Sequence, residues 1–253
     1  GMFSVNAMVK HWPGGGPEEG GRDAHFDYGK YAVYPGNNFH TLLRPFIDGA
    51  FKLNDGTGMA ASVMPYYTIS TNQNGGSGSN RGNSYNKYLI TDLLRNKYAF
   101  DGVVCTDWMI TADVSGVSKF EGKCWGAENL SIAQRHYEIL KAGVDQFGGN
   151  NDKEPVLKAY QMWKDEFGSV SARQRFESSA VRLLVNIFRT GLFENPYLDP
   201  NITSKTVGNP KYMQAGYDAQ VKSIVMLKNH ANVLPLKSKK LKVYVPKRFV
   251  KGV

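Results

Sequence analysis

Four short apolar runs limit what this chain can fold into. Ser4 to Val9, Met59 to Met64, Gly102 to Cys105 and Gly143 to Phe147 each lead into a polar or Gly-rich stretch and then a helical pattern. Their starts lie roughly 40 to 55 residues apart, a spacing that suits strand–helix units in a parallel sheet. The alternation leaves two architectures open, a part of a (β/α)8 barrel and an open doubly wound sheet.

The helices between the runs are legible. After Asn38, apolar side chains fall at Phe39, Leu42, Leu43, Phe46, Ile47, Ala50 and Phe51, the stripe of one buried helix face. Pro45 predicts a kink or a restart within it. Further helices are expected over Ser84 to Lys97, Leu130 to Lys141, Ala172 to Arg189 and Tyr212 to Met226. Residues 190–205 are rich in Pro, Asn and Gly and read as a linker, and residues 241–253 read as one more strand.

Composition excludes several function classes. With 42% hydrophobic and 21% charged residues, the chain matches an ordinary globular protein. No apolar run approaches the roughly 18 residues of a membrane span, so no membrane partner is expected. Cys105 and Cys124 are too few for a disulfide framework, and the five histidines show no metal-ligand spacing. Neither a metal nor a cofactor is expected. The segment GGGPEEGG lacks the Lys-Ser or Lys-Thr of a phosphate loop. The formal charge of +9 is local: residues 201–253 hold eleven Lys and Arg against Asp218 alone, leaving the first 200 residues near neutrality. That segment reads as solvated surface, and no nucleic-acid partner is expected.

In a parallel α/β domain, chemistry gathers where strands end. Just past the four runs stand Lys10-His11, Tyr66-Tyr67, Asp107-Trp108 and Gly148-Gly149-Asn150. A carboxylate, a cation and aromatic rings around one opening suit a sugar, whose apolar face stacks on rings while its hydroxyls take polar groups. Taken singly these residues admit plainer roles: Asp107 as a helix cap, Trp108 and Tyr67 as core aromatics, Lys10-His11 as an unremarked pair.

The run LLRNKYAFDGVVCTDW resembles the nucleophile segment of glycoside hydrolase family 3, VKHWPGGG its KHFPG motif with Trp12 for Phe, and ASVMPYY its tyrosine-ended strand. AGVDQFGG, FRTGLFENPYLDP and SIVMLKNHANVLPL are similar to the segments that follow in that family, in the same order. The resemblance implies an α/β fold: the C-terminal half of a (β/α)8 barrel over residues 1–189, a linker over 190–209, and the first elements of an α/β sandwich over 210–253. It implies a retaining β-glycosidase of β-glucosidase or β-xylosidase type acting on oligosaccharides or β-glycosides, poorly active as this chain alone. Asp107 would be the nucleophile, kept ionised by a cation such as Lys10. Trp108 would wall the sugar site, Lys10 and His11 would donate to its hydroxyls, and Tyr67 would hold the Asp107 carboxylate. In many members of that family the acid/base is a Glu of the sandwich domain; Asp23 and His25 offer in its place an Asp-x-His dyad like that of the N-acetylglucosaminidase branch, while Glu18 and Glu19 read as loop charges. A non-catalytic carbohydrate-binding protein and an N-acetylglucosaminidase remain alternatives. The family habit of export implies a periplasmic or secreted protein, and exposed barrel edges leave pairing with another chain open.

Overall fold

The computed structural model describes residues 5–54, 58–76, 80–114, 122–237 and 240–247. Three parallel strands pair in the order β1 (Met8–Trp12), β3 (Ser62–Pro65) and β5 (Val103–Val104). The fourth apolar run joins β5 through a parallel bridge between Cys105 and Gln146. Chain order is therefore sheet order, and each parallel neighbour is reached by a crossover connection. A separate parallel pair, β2 (Tyr31–Ala32) and β4 (Ile69–Ser70), joins the segments that follow β1 and β3.

The first strand corrects the expected boundary. Met8, Val9 and Lys10 lie opposite Ser62, Val63 and Met64, so β1 runs to Trp12 and Lys10 and His11 fall inside it. Ser4 lies outside the described residues. A register irregularity between Lys10 and Trp12 precedes the turn of Trp12 into the core. There Trp12 is fully buried, stands edge-on to Phe46 at 5.2 Å between ring centroids, and donates its indole N–H to Leu89 O at 3.0 Å. Around it pack Leu43, Val63, Leu89, Leu94, Phe100 and Val104. Each fully buried side chain of this size contributes about 1.5–3 kcal/mol.

Helices cover this core. α1 (Phe39–Leu42) stops short of Pro45, and a π-helical segment restarts there, over Pro45–Ala50. The missing proline N–H costs nothing in a first turn. The helix expected over Ser84 to Lys97 is instead a 3-10 turn, Asn83–Tyr85, followed by a π-helix, Tyr88–Lys97, which buries Leu89, Ile90, Leu93 and Leu94. α2 (Ile132–Ala142) starts on a capping box between Ser131 and Gln134 and ends on the left-handed Gly143. α3 (Glu154–Arg189) begins well before the expected Ala172 and breaks at Gly168, whose φ of +85° no helix contains. Its first half escapes a periodicity reading because only Ala159 there is buried; it docks on α2 through Tyr137, Leu140, Met162 and Trp163.

A buried carboxylate ties these layers together. Asp145 accepts the Val104 N–H at 3.0 Å, Arg95 at 2.5 Å, Ser179 Oγ at 2.7 Å and Arg182 at 3.1 Å. It thus fastens the fourth run to β5, to the π-helix and to α3.

The chain divides into two compact units, residues 1–196 and 197–253. The second holds α4 (Pro200–Thr206) and α5 (Pro210–Ser223). α4 falls partly within the stretch read as linker: Asp199 caps the Asn201 N–H and Pro200 presets the first turn. The α5 helix ends at Ser223, short of Met226. The terminal run forms no strand over its described residues 241–247. Residues 248–253 of that run lie outside the described residues.

Candidate active site

Asp107 stands three residues beyond β5, at the end of the sheet where the strand-to-helix loops converge. It opens on a cleft of about 460 Å³ lined also by Lys10, His25, Met64, Tyr67, Trp108, Met109 and Lys123. The carboxylate is mostly buried, yet three donors meet it or its charge. His11 Nε2 lies 3.2 Å from Oδ2, the Trp108 N–H lies 2.7 Å from Oδ1, and the Tyr67 hydroxyl stands beside them. Burial works against the charged form, but hydrogen bonding from His11, Trp108 N–H and Tyr67 outweighs it and holds the Asp107 carboxyl below the usual range. The cation expected there was Lys10. It lines the cleft, and His11 takes the position on Asp107 instead.

The Tyr67 hydroxyl stands within reach of two acceptors, the Asp107 carboxylate and Trp108 O. It donates to Trp108 O at 2.9 Å, while burial and the Asp107 charge push its pKa far up, so it stays a protonated donor. Trp108 is half exposed and forms one wall of the cleft. Its indole lies on Gly148 and Gly149, where an added Cβ would come within 2.6 and 2.7 Å of the ring. The glycines after the fourth run therefore supply room for the indole rather than polar groups for a ligand.

Asp23 and His25 form a compact dyad on the loop that follows β1. Asp23 Oδ1 lies 2.7 Å from His25 Nδ1 and 2.9 Å from the His25 backbone N. The backbone hydrogen bond, against the opposing effect of burial and with the help of the imidazole, holds Asp23 below its usual range. A carboxylate acceptor on Nδ1 assigns the hydrogen to that nitrogen and leaves Nε2 for chemistry. The His25 ring meets the Tyr67 ring at 4.9 Å, so the dyad and the nucleophile candidate share one cleft.

Lys123 is a charged lining residue that sequence reasoning missed. It is 1% exposed, with Nζ 6.0 Å from the Tyr67 ring centroid. A lysine within GKCWG carries no motif, and its chain neighbours gave no strand or helix to place it. A larger cavity of about 690 Å³ adjoins the cleft through Met109. Its central polar groups satisfy one another: Asn150 donates to Thr111 at 2.7 Å and meets His136 Nε2 at 3.2 Å. Among the described residues no three His, Cys, Asp or Glu side chains gather as metal ligands, and no helix is long and apolar enough to cross a membrane.

Comparison with known proteins places these residues in a wider set. Residues 2–184 match the model described as the glycosyl hydrolase family 3 N terminal domain. The chain is 41% identical over 239 residues to beta-glucosidase C of Emericella nidulans, covering 93% of this chain and 36% of that protein. It is 39% identical over 246 residues to the periplasmic beta-glucosidase/beta-xylosidase of Dickeya chrysanthemi, covering 92% of this chain and again 36% of the relative. The chain thus spans about a third of the length of these relatives. A solved beta-glucosidase involved in saponin metabolism from intestinal bacteria superposes with a TM-score of 0.64 and 23% identity, over 91% of this chain and 26% of that one. At that identity the likeness bears on the fold.

Proposed function

The chain belongs to glycosyl hydrolase family 3, and from that premise we propose that it carries the nucleophile and acid/base of a retaining β-glycosidase. The observation behind this reading is the shared cleft: an ionised, hydrogen-bonded Asp107 and a carboxylate-poised His25 open on the same space. Asp107 attacks the anomeric carbon as the glycosidic C–O bond breaks, forming a glycosyl–aspartyl ester. The imidazolium of His25 protonates the departing oxygen from Nε2, while Asp23 steadies the charge at Nδ1. Neutral His25 then takes a proton from water, which displaces Asp107 from the sugar and restores both groups. Trp108 offers its face to the pyranose, and Lys10 and Lys123 supply donors for ring hydroxyls.

The relatives' names suggest terminal β-linked glucose or xylose as the sugar. The parallel sheet is read as part of a (β/α)8 barrel spanning residues 1–189, with residues 190–209 as linker and 210–253 as the start of a sandwich domain. An exported, periplasmic or secreted setting accords with the Dickeya relative.

The test is covalent capture, which needs one event per molecule and so suits a slow catalyst. An activated 2-deoxy-2-fluoro-β-glucoside should add one fluoroglucosyl mass to the chain, on the peptide holding Asp107. Asp107→Asn should abolish the adduct. An adduct on another residue, or equal labelling of Asp107→Asn, would overturn the nucleophile assignment.

A further inference from the structure

We propose that Glu18 is a positioning residue that fixes the Asp23–His25 loop to the hydrogen-bond system around Asp107. The inference rests on the reading of His25 as acid/base. A single oxygen makes the connection. Glu18 Oε1 accepts the Tyr66 hydroxyl at 2.8 Å and the Ala24 backbone N–H at 3.2 Å. Ala24 sits between the two members of the dyad and is fully buried; its own carbonyl accepts the Trp125 indole N–H at 3.0 Å. On the other side, the Tyr66 ring packs on His11 at 4.5 Å between centroids, and His11 holds Asp107. Nucleophile, His11, Tyr66, Glu18 and the dyad therefore form one continuous chain of contacts.

The loop needs such a tie. Between β1 and the dyad it carries Gly14, Gly15, Gly16, Gly20 and Gly21, residues that leave a backbone free to wander. A backbone bridge between Glu18 and Ala32 anchors the Glu18 main chain, so its side chain reaches inward from a fixed point. Burial, together with the Glu18 charge, keeps Tyr66 protonated and hence a donor. Glu18 does not line the cleft. Its effect on the reaction passes through the placing of His25.

What the tie requires is an acceptor oxygen rather than a charge, and this separates the variants. Glu18→Gln keeps a carbonyl oxygen; Glu18→Ala removes it; Tyr66→Phe removes one donor while keeping the ring. Hydrogen exchange at the Ala24 amide should quicken about tenfold in Glu18→Ala, the worth of roughly one hydrogen bond to a charged group, and stay near wild type in Glu18→Gln. In initial rates, Glu18→Ala and Tyr66→Phe should lose about tenfold on methyl β-glycosides and little on dinitrophenyl β-glycosides, whose departure needs no proton.

Equal losses on both substrates, or a Glu18→Gln as impaired as Glu18→Ala, would overturn the positioning role. His25→Ala is run alongside. If it shows no dependence on the leaving group, the acid/base reading fails. If it does and Glu18→Ala does not, only the positioning role fails.

Discussion

Asp107 keeps its charge through hydrogen bonds, and that choice has a measurable signature. The group is mostly buried, so each donor removed lets desolvation act more strongly. His11 supplies the largest of the lowering contributions. His11→Phe should therefore raise the folded-state pKa of Asp107 and move the acidic limb of kcat/KM to higher pH by about one pH unit, the worth of roughly one charged hydrogen bond. The sign for stability is the same. A carboxyl held below its unfolded value, near 4, stabilises the fold above that value and loses the contribution as pH falls through the folded pKa. An unmoved acidic limb in His11→Phe would show that Trp108 N–H and Tyr67 suffice. The identity of Asp107 and its neighbours was readable from motif order. Which side chain touched it was not, because Lys10 and His11 are adjacent in sequence and only the sheet register decides their directions.

Among the elements, those with chemical boundaries were the most legible. α2 has a serine cap, a glutamine three residues on and a left-handed glycine at its end, where an added Cβ would meet Thr91 Oγ1 at 2.6 Å. Ser131→Ala should cost about 1 kcal/mol, read as a lower urea midpoint with unchanged slope. A cost near zero would mean that packing against α3 alone defines the start of the helix. The N-terminal half of α3 and α4 lacked a broad buried stripe and stayed invisible to periodicity. The second apolar helix was visible as apolar, but neither its π-helical winding nor the acceptance of the Trp12 indole N–H by Leu89 O was.

At the scale of the first unit, Asp145 joins strand, π-helix and α3 through Arg95, Arg182 and Ser179. Asp145→Asn keeps the volume and leaves the mostly buried Arg95 guanidinium without its counter-charge. The expected loss is about 3–5 kcal/mol, measured by denaturant unfolding; a loss below about 1 kcal/mol would show that the arginines find other partners.

The order of strand and helix, the near-neutral first 200 residues and the family were all determined by sequence, because apolar periodicity and motif order are properties of the chain read in one dimension. Tertiary structure decided the rest. His11 displaced Lys10 at Asp107, Lys123 joined the cleft, Gly148 and Gly149 made room for Trp108, and Glu18 changed from a loop charge into a link between the Asp23–His25 pair and the neighbours of Asp107. Each depends on contacts between segments distant in sequence, whose directions exist only once the sheet has set its register.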